Sequence, residues 1–433
     1  MPGQRFVVAS RAVARAVLAA FAVAAPAVAQ SPALASRYLF VWTGDAARKV
    51  SDFLVVLDAD PASKAYGHVV ASLPVGASGT MPHHTEYEFP DDGILLANGW
   101  AANQTFVFDL RNPTSPRLAN TFSSVGTYSF PHSFARLPNG HLLGTFQGTN
   151  KAYAPPGGLV ELDEHGKFVR SASAAGMGIT DTLAWPYSLA IDARHNRAIV
   201  TNTSMPLPKW GHPPAGSWRK SRADSVTTSQ VQIWNTSDLK LLNTISLPKP
   251  PGRSKFADSA ANLFPAEPRM LPDGSVYVNT FHCGLFHITG IEGTAPRATF
   301  VRSFPIATEK YCSVPAMVGH YWIQTDMALP GLIALDISNP DKPVEVSRLV
   351  LESRFMMPHW LASDARGSRV VLTGDDMGYV LIVDVDPRTG KLSIDQKFRD
   401  ERTGVVGVNL NGRTWTHGAV KDAFVHGTLF GPK

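Results

Sequence analysis

The chain has 433 residues, a formal net charge of +5, 35 glycines and 33 prolines. The charge is thinly spread and no run of Lys and Arg is interleaved with aromatics, which argues against a nucleic-acid-binding face. A length of about 400 residues after any leader exceeds the usual single domain, unless the chain grows by adding repeats rather than by thickening one core.

In chain order, Arg5, Arg11 and Arg15 precede an apolar stretch from Ala16 to Ala25 and then Ala27-Val28-Ala29, the small-residue pattern that signal peptidase cleaves. Residues 1–29 are therefore expected to be a signal peptide, with residues 30–433 forming a periplasmic or secreted domain. The apolar stretch is too short for a bilayer span, and nothing later approaches roughly 18 uninterrupted apolar residues, so no membrane span is expected.

From residue 54 a two-part phrase recurs. One part is an apolar strand closing on a polar residue, a turn and a second strand: LVVLDADP (54–61), FVFDLRNP (106–113), LVELDEHG (159–166), VQIWNTSD (231–238), LFHITGIEG (285–293), LIALDISNPD (332–341) and VLIVDVDP (380–387). Between the anchors Asp58, Asp109, Asp163, Asn235, Thr289, Asp336 and Asp384 the spacings are 51, 54, 72, 54, 47 and 48. Units of four short strands at this period predict an all-β chain folded as one seven-bladed β-propeller. The wide spacing accommodates an insertion, rich in Pro, Gly and Trp, at about 204–229, between the third and fourth repeats.

The second part precedes each strand pair: PHHTEYEFPDDGILLANG (82–99), PHSFARLPNGHLLGTFQG (131–148), PYSLAIDARHNRAIVTN (186–202), PAEPRMLPDGSVYVNT (265–280), PAMVGHYWIQT (315–325), PHWLASDARGSRVVLTG (358–374) and a degenerate WTHGAVKDAFVHGTLFG (415–431). The innermost strand of each blade runs beside the central channel, so corresponding positions form a ring about one axis. His83 or His84, His132, His359 and His417 hold that place, with Tyr187, Ala266 and Ala316 in the other blades. Imidazoles brought together there suit copper, zinc or iron, because the neutral ring offers a nitrogen lone pair. A lone histidine is more often a hydrogen-bonded structural residue, and it is the recurrence at one register that points to a metal. His282 and His426 could also border the channel, while His165 and His195 lie in turns and His141 points into a blade. Glu267 follows the ring position of its blade and is the candidate catalytic carboxylate. Glu86 follows His84 by two residues, either as support for a ligating imidazole or as a turn interaction. Trp185, Trp360 and Trp415 flank the ring as packing residues. Cys283 and Cys312, in an oxidising compartment, either form a disulfide between neighbouring blades or remain two buried thiols.

The run LVVLDADPASKAYGHVV, the HH pair that follows it, GGLVELD, PAEPRMLPDG, LIALDISNPDKP and VDVDPRTGKL resemble the selenium-binding protein family, whose bacterial members include methanethiol oxidase, over nearly the whole chain after the leader. That resemblance implies a seven-bladed propeller and, for the oxidase branch, a copper enzyme that takes methanethiol, oxygen and water to formaldehyde, hydrogen peroxide and hydrogen sulfide. It also implies copper ligation by His83, His84 and His132, completed by a late histidine carried to His417 with His359 as the competing choice. The stretch ASLPVGASGTM has no cysteine, which removes the family's cysteine-rich selenium-binding segment and leaves the copper expectation untouched. The alternatives are a propeller that binds metal or a small ligand without turnover, and a scaffold that docks a partner through 204–229.

Overall fold

A computed structural model describes residues 1–3, 36–150, 152–205, 227–251, 260–305, 311–355, 357–365, 367–374 and 377–431. Leu34–Lys433 forms one compact unit and Met1–Ala33 another. The expected signal peptide, beyond Met1–Gly3, and most of the 204–229 tract lie outside the described residues.

The recurring apolar runs form the third strand of each blade and are buried on both faces, as in Phe53–Asp58. They are continuous rather than alternating because each blade is covered by a neighbour on either side. Outer strands face water on one side and alternate, as Val344–Val350 does. The described residues contain no α-helix. Their strands make six four-stranded sheets and one of five strands, and these seven are the blades of a β-propeller; a two-stranded hairpin lies apart from them. No helix among the described residues is long and apolar enough to cross a membrane.

Blade 1 closes the circle. Its inner strand, Ala423–Phe430, comes from the C-terminal end, while Tyr38–Asp45, Phe53–Asp58 and Val69–Pro74 come from the N-terminal part. The inner strands of blades 2 to 7 are Pro82–Thr85, Tyr128–Arg136, Pro186–Asp192, Pro265–Met270, Ala316–Val318 and Pro358–Ser363. Aromatic side chains fill the seams between blades, and Trp42 of blade 1 packs 5.2 Å from Phe106 and 5.6 Å from Phe108 of blade 2.

Of the two readings of the cysteines, the disulfide is the one found: Cys283 of blade 5 is bonded to Cys312, which precedes the inner strand of blade 6. The 204–229 tract does not separate two blades. Its flanking strands, Arg197–Asn202 and Gln230–Asn235, pair directly as the second and third strands of blade 4.

Asp52 ties the blade 1 loop to the entry of blade 2, its Oδ2 accepting the Thr80 backbone N–H and hydroxyl at 2.7 Å each. Burial of this carboxyl, only 1% exposed, raises its pKa to about 6 against the hydrogen bonds from Thr80. A carboxyl whose folded pKa is raised stabilises the fold fully below its unfolded pKa and loses that contribution as pH rises through about 6. Asp52→Asn should therefore gain about 3 kcal/mol relative to the unmodified chain between pH 4 and pH 8, measured by chemical denaturation across that range.

Candidate metal centre

The inner strands are irregular where they meet the axis. Their pairing with the second strand slips between Pro82 and Thr85, Pro131 and Phe134, Pro186 and Leu189, Pro265 and Pro268, and Pro358 and Trp360. Met81, Phe130 and Phe264, each directly before a proline, sit at positive φ of 61°, 57° and 58°. Bulges of this kind re-aim side chains, so two consecutive histidines of blade 2 both reach the axis where strict alternation would turn one away.

In blades 2 to 6 a polar side chain on the second strand holds the backbone at or just before the inner strand. Asn98, Thr145, Thr201, Asn279 and Thr325 accept the backbone N–H of His84, Ser133, Ser188, Glu267 and Ser313 at 2.7 to 3.1 Å. Four of the five also donate across the seam: Asn98 to the His132 carbonyl, Thr145 to that of Tyr187, Thr201 to that of Ala266 and Asn279 to that of Ser313, at 2.7 to 2.8 Å. Thr373 does the same for His426 at 2.6 Å. At five of the seven seams the inner strands are thereby stitched together, which sets the spacing of the axial side chains. The equivalence puts Ser313, rather than Ala316, at the axial position of blade 6.

At the axis His83, His84 and His132 each offer one ring nitrogen, all within 4.8 Å of one another, and all three side chains are buried. His132 Nδ1 lies 2.8 Å from the Tyr187 carbonyl, which can only accept, so that nitrogen carries the proton and Nε2 keeps its lone pair. Ser133 Oγ lies 2.9 Å from His84 Nδ1 and 3.0 Å from His132 Nδ1, holding both rings. Burial pushes the pKa of His83 and His84 well below the usual imidazole value and that of His132 down to about 3, with neighbouring imidazoles adding to each shift. The rings are therefore neutral, the form that ligates metal.

The blade 1 inner strand corrects the late histidine. His417 lies in the turn of the hairpin formed by Arg413–Trp415 and Gly418–Val420, its ring 4.5 Å from Phe53 and 6.3 Å from Trp415. The inner strand begins six residues later, and it is His426 that packs 4.1 Å from His83 and 4.3 Å from His359, ring centre to ring centre. Gly427 permits that approach, since a Cβ there would come within 2.6 Å of the His83 carbonyl oxygen and 2.8 Å of the Thr85 nitrogen. His359 is buried, with Ser313 Oγ 3.0 Å from its Nδ1, and meets the triad through His426. His282 packs on Phe264, and His141 bonds Glu161 on its own blade.

Glu267 is fully buried and belongs to this layer. Its Oε2 accepts the Tyr87 hydroxyl at 2.5 Å, the Ser188 hydroxyl at 2.7 Å and Arg269 at 3.0 Å, while Oε1 is buried without a partner. The Tyr87 hydroxyl is also 3.3 Å from His84 Nδ1, so Glu267 stands one side chain removed from a triad imidazole. Burial and the adjacent carboxylate push the Tyr87 pKa up, and the phenol keeps its proton. Glu86 takes the plainer role: it pairs with Arg136 at 2.8 and 3.1 Å and caps the Leu96 N–H, which accounts for its burial.

The donor set fits a resident metal. His83 Nδ1, His84 Nε2 and His132 Nε2 are buried with no hydrogen-bond partner, and an unpaired buried nitrogen costs about 1–3 kcal/mol unless something else satisfies it. Fold and site together define a seven-bladed propeller with an imidazole-lined axial centre. No protein-family model matches the chain. It is 30% identical over 235 residues to a methanethiol oxidase of a Hyphomicrobium species, covering 50% of this chain and 49% of that protein, and 29% identical over 143 residues to a methanethiol oxidase of Ruegeria pomeroyi, covering 30% and 31%. The chain thus matches about half the length of the first relative and less than a third of the second. A hypothetical selenium-binding protein from Sulfolobus tokodaii superposes with a TM-score of 0.69 at 15% identity over 92% of this chain and 94% of that one. A periplasmic gluconolactonase from Pseudomonas aeruginosa gives a TM-score of 0.58 at 10% identity over 90% and 99%, a likeness of fold alone. The chain is thus homologous to methanethiol oxidases over about half its length, and it shares the fold of the selenium-binding protein.

Proposed function

We propose that this chain is an exported, copper-dependent oxidase of a small thiol, taking methanethiol, oxygen and water to formaldehyde, hydrogen peroxide and hydrogen sulfide. The observation that carries the reading is the set of three unpartnered, buried nitrogens on His83, His84 and His132 in a chain homologous to methanethiol oxidases. His426 is the fourth candidate ligand in place of His417, with His359 behind it. Copper held by these nitrogens would supply one-electron cycling and favour a thiol as its thiolate.

The remaining chemistry falls to the chain's own side chains. Ser133 and the Tyr187 carbonyl hold the imidazoles in the ligating tautomer. Glu267, with Oε1 free, is the group to accept the proton when the C–H bond of the substrate breaks, while Tyr87, Ser188 and Arg269 hold its other oxygen in place. Burial of the whole layer excludes bulk water. The Cys283–Cys312 disulfide supports export to an oxidising compartment.

The test is to isolate the chain from its native host, measure its metal, load it with copper and assay methanethiol for sulfide, peroxide and formaldehyde. Equal amounts of the three products support the reading. Stoichiometric copper with no oxygen uptake leaves a metal-binding propeller and removes the oxidase.

A further inference from the structure

Beside the histidine layer the propeller axis holds a cavity of about 460 Å³. Its wall is mixed: Phe134, Leu189, Met270, Met317 and Leu361 contribute apolar surface from five blades, and Glu86, Glu88, Arg136 and Arg269 bring charge. Ala135, Ala190 and Ala362 present only methyl groups, leaving the axis itself to Tyr87 and Arg269. The two are stacked: the Arg269 guanidinium lies 4.0 Å over the Tyr87 ring, whose centroid is 5.1 Å from that of Trp360 with only 9° between the planes.

Tyr87 marks a boundary. Glu88 on the cavity wall is exposed and Tyr87 is partly exposed, whereas His84, reached by the Tyr87 hydroxyl, is fully buried. Among the described residues, His83 is flanked on its other side by an apolar cluster of Met81, Trp100 and Phe424, all buried. Most charged groups on the wall are paired, Arg136 with Glu86 and Asp92 and Arg269 with Glu267, while Glu88 stands exposed. Paired cations leave no free positive charge on the wall to hold an anion, the exposed Glu88 disfavours anions further, and a cavity of this volume suits small solutes.

We infer that small neutral molecules reach the histidine centre through this axial channel, and that Tyr87, clamped between Trp360 and Arg269, is the side chain that closes its inner end. The inference rests on reading His83, His84 and His132 as a metal centre and applies to substrate, oxygen and product alike. Because Tyr87 is held by stacking on both faces and by Glu267, admission requires its ring to swing.

The experiment uses full-length protein loaded with copper, reduced, and saturated with carbon monoxide as a neutral probe, with recombination after flash photolysis followed in the infrared. Ala190→Trp and Ser363→Trp fill the channel from opposite blades without touching the histidine layer, and should each slow bimolecular recombination by about tenfold or more at unchanged copper content and circular dichroism. Tyr87→Ala removes the closure and should accelerate it by a similar factor. Recombination within about twofold of the unmodified protein in both tryptophan variants overturns the channel as the route. A copper-loaded protein that binds carbon monoxide with these rate changes but oxidises no methanethiol keeps the channel and loses the oxidase. A protein that takes up no copper removes both.

Discussion

Replacing His84 and His132 together by alanine should abolish metal uptake and lower methanethiol turnover by at least about 10³-fold, since a metal left with a single imidazole of the triad has neither its affinity nor its geometry. The effect is expected to be this large because the two rings share one support: Ser133 Oγ touches Nδ1 of both, and Asn98 binds the His84 backbone N–H and the His132 carbonyl. Removing supports alone should be milder. Ser133→Ala leaves the nitrogens in place but removes the shorter of the two contacts on His84 Nδ1, and a loss of about 10- to 100-fold in copper affinity is expected. His426→Ala separates two accounts of the late histidine, weakening copper binding by a similar factor if its ring completes the set, whereas His417→Ala, in a hairpin against Phe53, should leave metal content unchanged. Copper stoichiometry and the d–d absorption of the loaded proteins check all four variants. Full copper retention in the His84→Ala, His132→Ala protein would sink the assignment.

The fold was legible because propeller blades impose a period on the chain. Each third strand, buried on both faces, is a short apolar run closing on a polar residue, and seven of these fix the blade count. The Pro-His register was legible for the same reason and led to His83, His84, His132 and His359. Blade 1 was misread because its inner strand follows a hairpin, Arg413–Val420, that itself contains an aromatic, a histidine and a glycine, so the repeat reads as if it began at Trp415. The signal that would have corrected it is His426-Gly427, where glycine allows backbone contact with blade 2. A second signal passed unread: the polar residue in the second strand of blades 2 to 7, Asn98, Thr145, Thr201, Asn279, Thr325 and Thr373, follows apolar residues because it binds the backbone of an inner segment. Tyr87 could not be found by register at all. It has no counterpart in other blades, and its place follows from the alanines opposite, which no local pattern shows.

Glu267→Gln should retain copper and lower kcat by about 10²- to 10⁴-fold with little change in KM, the range expected when a positioned proton acceptor is removed. The substitution preserves shape, and the amide oxygen can still accept from Tyr87, Ser188 or Arg269 at the Oε2 position. The amide nitrogen then takes the place of Oε1, which has no partner, so a donor replaces the one oxygen of this side chain free to take a proton. A competing account makes Glu267 merely the anchor of Tyr87 and the counter-charge of Arg269, whose side chain is 17% exposed. On that account the loss appears as instability, and breaking so enclosed a pair costs about 3–5 kcal/mol. The two are separated by measuring denaturation and kcat on the same preparation and by including Tyr87→Phe. If Glu267 acts on the substrate, Glu267→Gln is slow while Tyr87→Phe, which retains the ring and the carboxylate, stays within about tenfold of the unmodified enzyme. If both variants are equally slow and equally unstable, Glu267 is a positioning residue, and the proton must leave through a triad imidazole instead.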